Sequence, residues 1–109
     1  MVQRIKTVSL IEDAGGVRVA PVPINVQSDV TVVYDGLLAQ SGANQVFLHC
    51  GFGNDWHNQE DISLFKTSRG WEYTFKVKDT HTLNFCFKDS ANNWDNNNGR
   101  NWSYNISAH

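Results

Sequence analysis

A chain of 109 residues, 40% of them hydrophobic, holds one domain with one core of sandwich size. Only 18% of its residues are charged and the net charge is −2, so Asn, Gln, Ser and Thr must make much of the surface. The Lys and Arg are scattered, which argues against nucleic acid, and no apolar run approaches the roughly 20 residues of a membrane helix.

Taken in chain order, Met1 to Lys6 carries Arg4 and Lys6, but no apolar stretch or small-residue cleavage site follows. No signal peptide is read, and the expected location is cytoplasmic, or extracellular for a fragment of a secreted enzyme. From there the dominant period is two rather than 3.6. Residues 5–11 and 17–20 read as two strands separated by Gly15-Gly16, and Pro21 and Pro23 suit an edge bend or a linker. Residues 1–28 are therefore expected to form an N-terminal arm or edge strands of the same domain, ahead of a sandwich over 29–109. Asp29-Val30-Thr31-Val32-Val33-Tyr34 is a β-branched strand ending at the turn pair Asp35-Gly36. Residues 45–50 form the next strand, entered through Ser41-Gly42-Ala43-Asn44, and residues 61–66 a weaker one. In residues 71–78 Trp71, Tyr73, Phe75 and Val77 alternate with Glu72, Thr74, Lys76 and Lys78, which puts the first set inward. Residues 82–88 follow after a short turn, and Trp102, Tyr104 and Ile106 make the last inward set. About seven or eight short strands with frequent turns mean an all-β antiparallel sandwich. No window reads as an amphipathic helix of ten or more residues.

Two cysteines do not make a disulfide framework in a domain of this size. Alternation puts Cys86 outward between Phe85 and Phe87, and Cys50 on the face of Val46 and Leu48. If that is the core face, the thiols lie on opposite sides of a layer and stay reduced.

Residues 51–60 and 89–101 break the pattern as polar loops, each with one tryptophan. Trp71 and Trp102 belong to core sets, whereas Trp56 and Trp94 stand among Asn, Asp, Gly and Gln. An indole left in water forgoes roughly 2–3 kcal/mol of burial. Two readings account for these two: lids folded over the end of the sandwich, or plates of a binding platform. A neutral, amide-rich surface with aromatic plates suits a neutral, heavily hydroxylated ligand such as a sugar, because rings cover its C–H faces while amides and carboxylates reach its hydroxyls. Phosphate does not fit, since Arg100 faces Asp55, Glu60, Asp89 and Asp95 in the same loops. His49 lies on the face opposite Leu48, in the strand that runs into the Trp56 loop.

Other chemistries fail on spacing. Gly51-Phe52-Gly53 is followed by Trp56 where a dinucleotide loop needs glycine. Asp95-Asn96-Asn97-Asn98-Gly99 is out of register for an EF-hand, with Trp94 at the first ligand position. Adjacent His49 and Cys50 point to opposite faces and cannot share a zinc ion. Neither nucleophile-elbow nor zinc-protease motifs occur. The carboxylate pairs Asp55 with Glu60 and Asp89 with Asp95 lie on exposed loops with nothing to raise a pKa for glycoside hydrolysis. The sequons at Asn101 and Asn105 fall in the last expected strand and are read as chance.

Certain runs have a recognisable order. They are Val30-Thr31-Val32-Val33-Tyr34, Phe47-Leu48-His49-Cys50-Gly51-Phe52-Gly53 leading to Trp56, and Gly70-Trp71 before a strand. Then come Asn84-Phe85-Cys86-Phe87-Lys88-Asp89, Asn93-Trp94-Asp95-Asn96-Asn97 and Asn101-Trp102-Ser103-Tyr104. In this order they resemble the starch-binding carbohydrate-binding modules of family 25 and the related family 53 modules of starch synthases. The segment from Phe85 to Asn96 is the most specific part, and residues 1–28 lie outside the likeness. The resemblance implies an immunoglobulin-like sandwich that binds α-1,4-glucan (starch, glycogen, malto-oligosaccharides) without catalysing a reaction. It maps a sugar platform of one histidine and two tryptophans onto His49, Trp56 and Trp94, with Asn97 or Asn98 contacting hydroxyls. It also implies a glucan-active enzyme as partner, in cis or in trans. No cofactor, metal, nucleic acid or membrane is expected. The alternative is an immunoglobulin-like protein-interaction domain that uses the same loop aromatics.

Overall fold

The alternating runs pair almost entirely antiparallel. The computed structural model describes residues 9–108. Its strands are β1 (Ile11–Glu12), β2 (Val17–Ala20), β3 (Ile24–Asn25), β4 (Asp29–Tyr34), β5 (Val46–Phe52), β6 (His57–Ser63), β7 (Phe65–Thr67), β8 (Gly70–Lys76), β9 (Leu83–Asp89), β10 (Trp94–Asp95), β11 (Trp102–Tyr104) and β12 (Ile106–Ser107). One four-residue helix, α1 (Leu37–Gln40), follows the Asp35-Gly36 turn. One sheet has the order β1-β2-β4-β8-β7, and the other runs β10-β9-β5-β6. Strand β11 continues along the same edge of β9 as β10, so residues 96–101 form an excursion from one interrupted edge. Strands β3 and β12 form a small parallel pair.

The two sheets face each other across one core. Val17, Val19, Val30, Val32, Tyr34 and Trp71 come from the first sheet. Val46, Leu48, Cys50, Phe85, Phe87 and Trp102 come from the second. Tyr34 and Phe87 stack across the interface with ring centroids 4.0 Å apart. Trp102, 2% exposed, donates its Nε1–H to the Ala14 carbonyl at 2.9 Å, which ties the first described residues to the last strands. Gly15 is required there: its φ is +74°, and a Cβ would lie 2.9 Å from the Trp102 ring.

Strands β2 and β4 have the bounds that the sequence predicts. Three expectations change. The strand over 61–66 is two strands in different sheets, because the chain crosses between them at buried Leu64. The loop over 51–60 shrinks to the turn at 53–56, since β5 continues through Phe52 and β6 starts at His57. Trp94 is not in a loop but in a two-residue strand paired to Lys88 and Phe87. Amide-rich segments carry little strand propensity of their own, and pairing with a formed edge overrides it. Of the strand expected over 5–11, residues 5–8 lie outside the described residues, as does the reading of Met1 to Lys6.

Candidate functional site

The outward face of the second sheet follows from alternation and register. On β5, Val46, Leu48 and Cys50 face the core, so Phe47, His49 and Gly51 face out. Opposite them on β9 are Lys88, Cys86 and Asn84. Trp94 pairs with Lys88 and therefore shares this face, while its neighbour Asp95 points inward.

Trp56 reaches the same face from the turn. A Cβ on Gly51 would lie 3.0 Å from Trp56 Cβ and Cε3, so the indole lies across that glycine. The turn is fixed at several points. Asn84, itself buried, donates its amide to the Gly53 carbonyl at 2.8 Å, and the Trp56 N–H donates to the same oxygen at 3.2 Å. His57 is bonded to Asp55 and Asp79, both at 2.7 Å. Trp56 has φ +51°, an unfavourable conformation for an aromatic residue that these surroundings hold in place.

His49 is the hub. Its ring is near-parallel to Trp56 (centroids 5.8 Å apart, 22°) and edge-on to Trp94 (5.4 Å, 88°), so the two indole planes are steeply inclined to one another. His49 Nδ1 lies 2.5 Å from Asp61 Oδ1, and Asp61 also accepts from Lys88 Nζ at 2.8 Å. These two bonds, that of Lys88 first, hold the Asp61 carboxyl below its ordinary range. With an acidic acceptor on Nδ1, that nitrogen carries the proton, and Nε2 is left as the ring's other polar atom. Lys88 in turn stands over the Trp94 ring at 5.3 Å and the Phe47 ring at 6.0 Å. The face continues into a shallow depression of about 350 Å³ lined by Phe47, Asp61, Ser63 and Lys88 among others. A cavity of about 600 Å³, lined by Cys50, Phe52, Tyr73 and Phe75 among others, is elsewhere, and neither Trp56 nor Trp94 borders it.

Neither Trp56 nor Trp94 belongs to the core between the sheets, and Trp94 is 48% exposed. The structure thus brings His49, Trp56 and Trp94 together. Asn97 and Asn98 lie on the excursion that follows. Asn97 donates its amide to the Asn101 carbonyl at 3.1 Å, and its N–H donates to Asp95. Asn97, Asn98 and Asn101 all have φ near +58°, a conformation that asparagine tolerates best among residues with a side chain. Loop geometry alone therefore accounts for part of the amide richness. Asn98 is exposed.

Four residues here escaped the sequence reading. Asp61 and Lys88 join His49 to Trp94, but only cross-strand register brings them together. Gly51 seats Trp56. Asp95, read as a loop carboxylate, is buried and accepts from the Tyr34 hydroxyl at 2.5 Å, which anchors the Trp94 edge to the opposite sheet. Burial and then this bond push the Tyr34 phenol far above its ordinary value. Asp89 accepts from Ala91 N, Asn93 N and the Asn93 amide, and the amide is the chief reason that its carboxyl is lowered. The outward parity of Lys88 was the one signal available in sequence. Cys50 is in the core and Cys86 on the opposite face, both free, and burial pushes their thiols up to about 12 and about 11.

Comparison with known proteins gives this face a context. The chain is 41% identical over 80 residues to an α-amylase of Clostridium acetobutylicum. The match takes in 72% of this chain and 10% of the amylase, so the chain corresponds to about a tenth of that protein's length. No solved structure matches it. The model of a starch/carbohydrate-binding module family, family 53, matches residues 30–85, a span that includes His49 and Trp56 and ends before Trp94. That span is more than half of the chain, and the protein belongs to the starch/carbohydrate-binding modules of family 53.

Proposed function

We propose that this module binds α-1,4-glucan chains, in starch, glycogen or malto-oligosaccharides, on the face that carries His49, Trp56 and Trp94. The observation that carries this reading is the pair of indoles held steeply inclined around one imidazole on a strand face. A pyranose offers its C–H face to an aromatic ring and its hydroxyls to polar groups at the rim. An α-1,4-linked chain winds, so successive sugars turn relative to one another and meet inclined plates. A β-1,4-linked chain is a flat ribbon and asks for coplanar ones. In this reading His49 Nε2 bonds a hydroxyl, and Asn97 Oδ1 and the Asn98 amide reach further hydroxyls beyond Trp94.

Carbohydrate-binding modules are non-catalytic domains, and we extend that to this chain: glucan is held and no bond in it is broken. A glucan-active enzyme, in cis or in trans, is the partner such a module serves. The wider kinship with family 25, an immunoglobulin-like strand arrangement, and a binding sandwich over 29–109 with 1–28 as its arm belong to the same proposal. Affinity electrophoresis in gels containing soluble starch, glycogen or a cellulose derivative tests it. Retardation is expected in the first two gels and not in the third. Equal migration in all three contradicts it and leaves the protein-interaction alternative.

A further inference from the structure

Behind the Trp56 turn, and apart from the glucan platform, is a cluster of different chemistry. Among the described residues, His57, Asp79 and His81 have metal-type donor atoms that all lie within 4.8 Å of one another. We propose that His57 Nε2, a carboxylate oxygen of Asp79 and His81 Nδ1 form a four-coordinate site for Zn²⁺ or a similar divalent ion, with water as the fourth ligand.

The donor set is two imidazoles and one carboxylate, which suits zinc and is poor for calcium or magnesium, ions that take mostly oxygen. The donors are close enough for small side-chain shifts to meet what a tetrahedral ion needs. Donors about 2.1 Å from zinc lie about 3.4 Å from one another. Here His57 Nε2 is 2.7 Å from Asp79 Oδ2, His81 Nδ1 is 2.7 Å from Asp79 Oδ1, and the whole set falls within 4.8 Å. The rings of His57 and His81 are perpendicular (89°) with centroids 5.1 Å apart, so they meet edge to face rather than stack.

The surroundings are those of a metal ligand set. His57 Nδ1 is bonded to Asp55 Oδ1 at 2.7 Å, an acceptor that keeps a proton on Nδ1 when Nε2, aimed at Asp79, turns to an ion. Asp79 is held by the His81 backbone N–H at 2.9 Å, and its side chain is only 12% exposed. His81 is 63% exposed, so an ion has a way in. Coordination replaces the hydrogen bonds of His57 Nε2 and His81 Nδ1 to Asp79: the His57 Nε2 proton goes to solvent, and neutral His81 keeps its single proton on Nε2. The ion then clamps the start of β6, directly after the turn at 53–56, to the connection between β8 and β9. No metal-ligand spacing announces this trio in the sequence, because His57 stands in a different segment from Asp79 and His81.

Calorimetric titration of the whole chain with Zn²⁺, with Co²⁺ as a visible-light reporter, tests the site. One ion per chain is expected, with the intense visible bands of four-coordinate cobalt. His81→Gln and Asp79→Asn should weaken binding at least about tenfold, and Asp55→Asn about tenfold through loss of ring orientation. His49→Gln should leave it unchanged. Because His81 is exposed, His81→Gln is expected to fold normally. Absence of saturable binding, or binding that His81→Gln leaves intact, overturns the proposal and makes the trio a hydrogen-bonded cluster only. Glucan retention plays no part in this readout, so the two proposals fail separately.

Discussion

Replacing Trp94 and Trp102 by alanine, one at a time, asks whether one indole serves binding and the other the fold. Trp102 is 2% exposed, stacks on Phe85, meets Phe87 edge-on, and bonds Ala14. Its truncation removes nearly the full area of an indole and leaves a cavity, so Trp102→Ala should cost about 3–5 kcal/mol of stability. Trp94 is 48% exposed. Roughly half of about 250 Å² at 25 cal/mol per Å² gives at most about 3 kcal/mol, and an extended-chain reference overstates that figure. A loss of about 1–2 kcal/mol is expected, because the Tyr34–Asp95 bond still holds the edge. For glucan the order reverses. Trp94→Ala should lose about 1–3 kcal/mol of binding, by analogy with aromatic stacking under nucleic-acid bases, or roughly 5- to 150-fold in affinity. Denaturant melts and calorimetry with maltoheptaose give both quantities for both variants. A Trp94→Ala protein that unfolds as easily as Trp102→Ala yet binds normally when folded would refute the reasoning and restore the lid.

Three further predictions follow from the same geometry. Gly51→Val should push Trp56 off its seat, because even a Cβ there stands 3.0 Å from Trp56 Cβ, Cε3 and the carbonyl oxygen; glucan affinity should drop, and unchanged affinity in the folded variant would mean that Trp56 does not need this position. The Asp61 carboxyl is lowered by Lys88 and then His49, so its bonds stabilise the fold above the ordinary carboxylate value of about 3.9 and are lost as pH falls through the lowered value. The melting-temperature difference between wild type and Asp61→Asn should be widest above pH of about 5 and narrow progressively as the pH falls below the ordinary carboxylate value. The buried thiols of Cys50 and Cys86, with raised pKa values, should react slowly with a thiol reagent at pH 8 and count two once the protein is denatured; a count of zero would mean a disulfide.

What could be read from sequence was decided by side-chain alternation. Asp29–Tyr34 and Val17–Ala20 announce themselves, because each buries apolar residues on at least one face. His57–Ser63 does not, since it is an edge strand of polar, mostly exposed residues with no apolar period to detect. Trp94–Asp95 is too short for any period, and only the neighbouring edge of β9 makes it a strand. The platform was legible in its most expensive parts, two indoles out of place among amides. Its polar frame was not: Asp61 and Lys88 are 12 and 39 positions from His49, and only register unites them. The Asn residues carried a mixed signal, since left-handed loop geometry and sugar contact select the same side chain.

The most direct measurement is a maltoheptaose titration followed by the indole N–H signals of the four tryptophans in a ¹H–¹⁵N spectrum. Trp56 and Trp94 should shift and saturate together with one affinity, while Trp71 and Trp102, buried between the sheets, stay where they are. Shifts confined to Trp71 or Trp102, or no shift at any indole in the presence of bound sugar, would contradict a glucan platform built around His49.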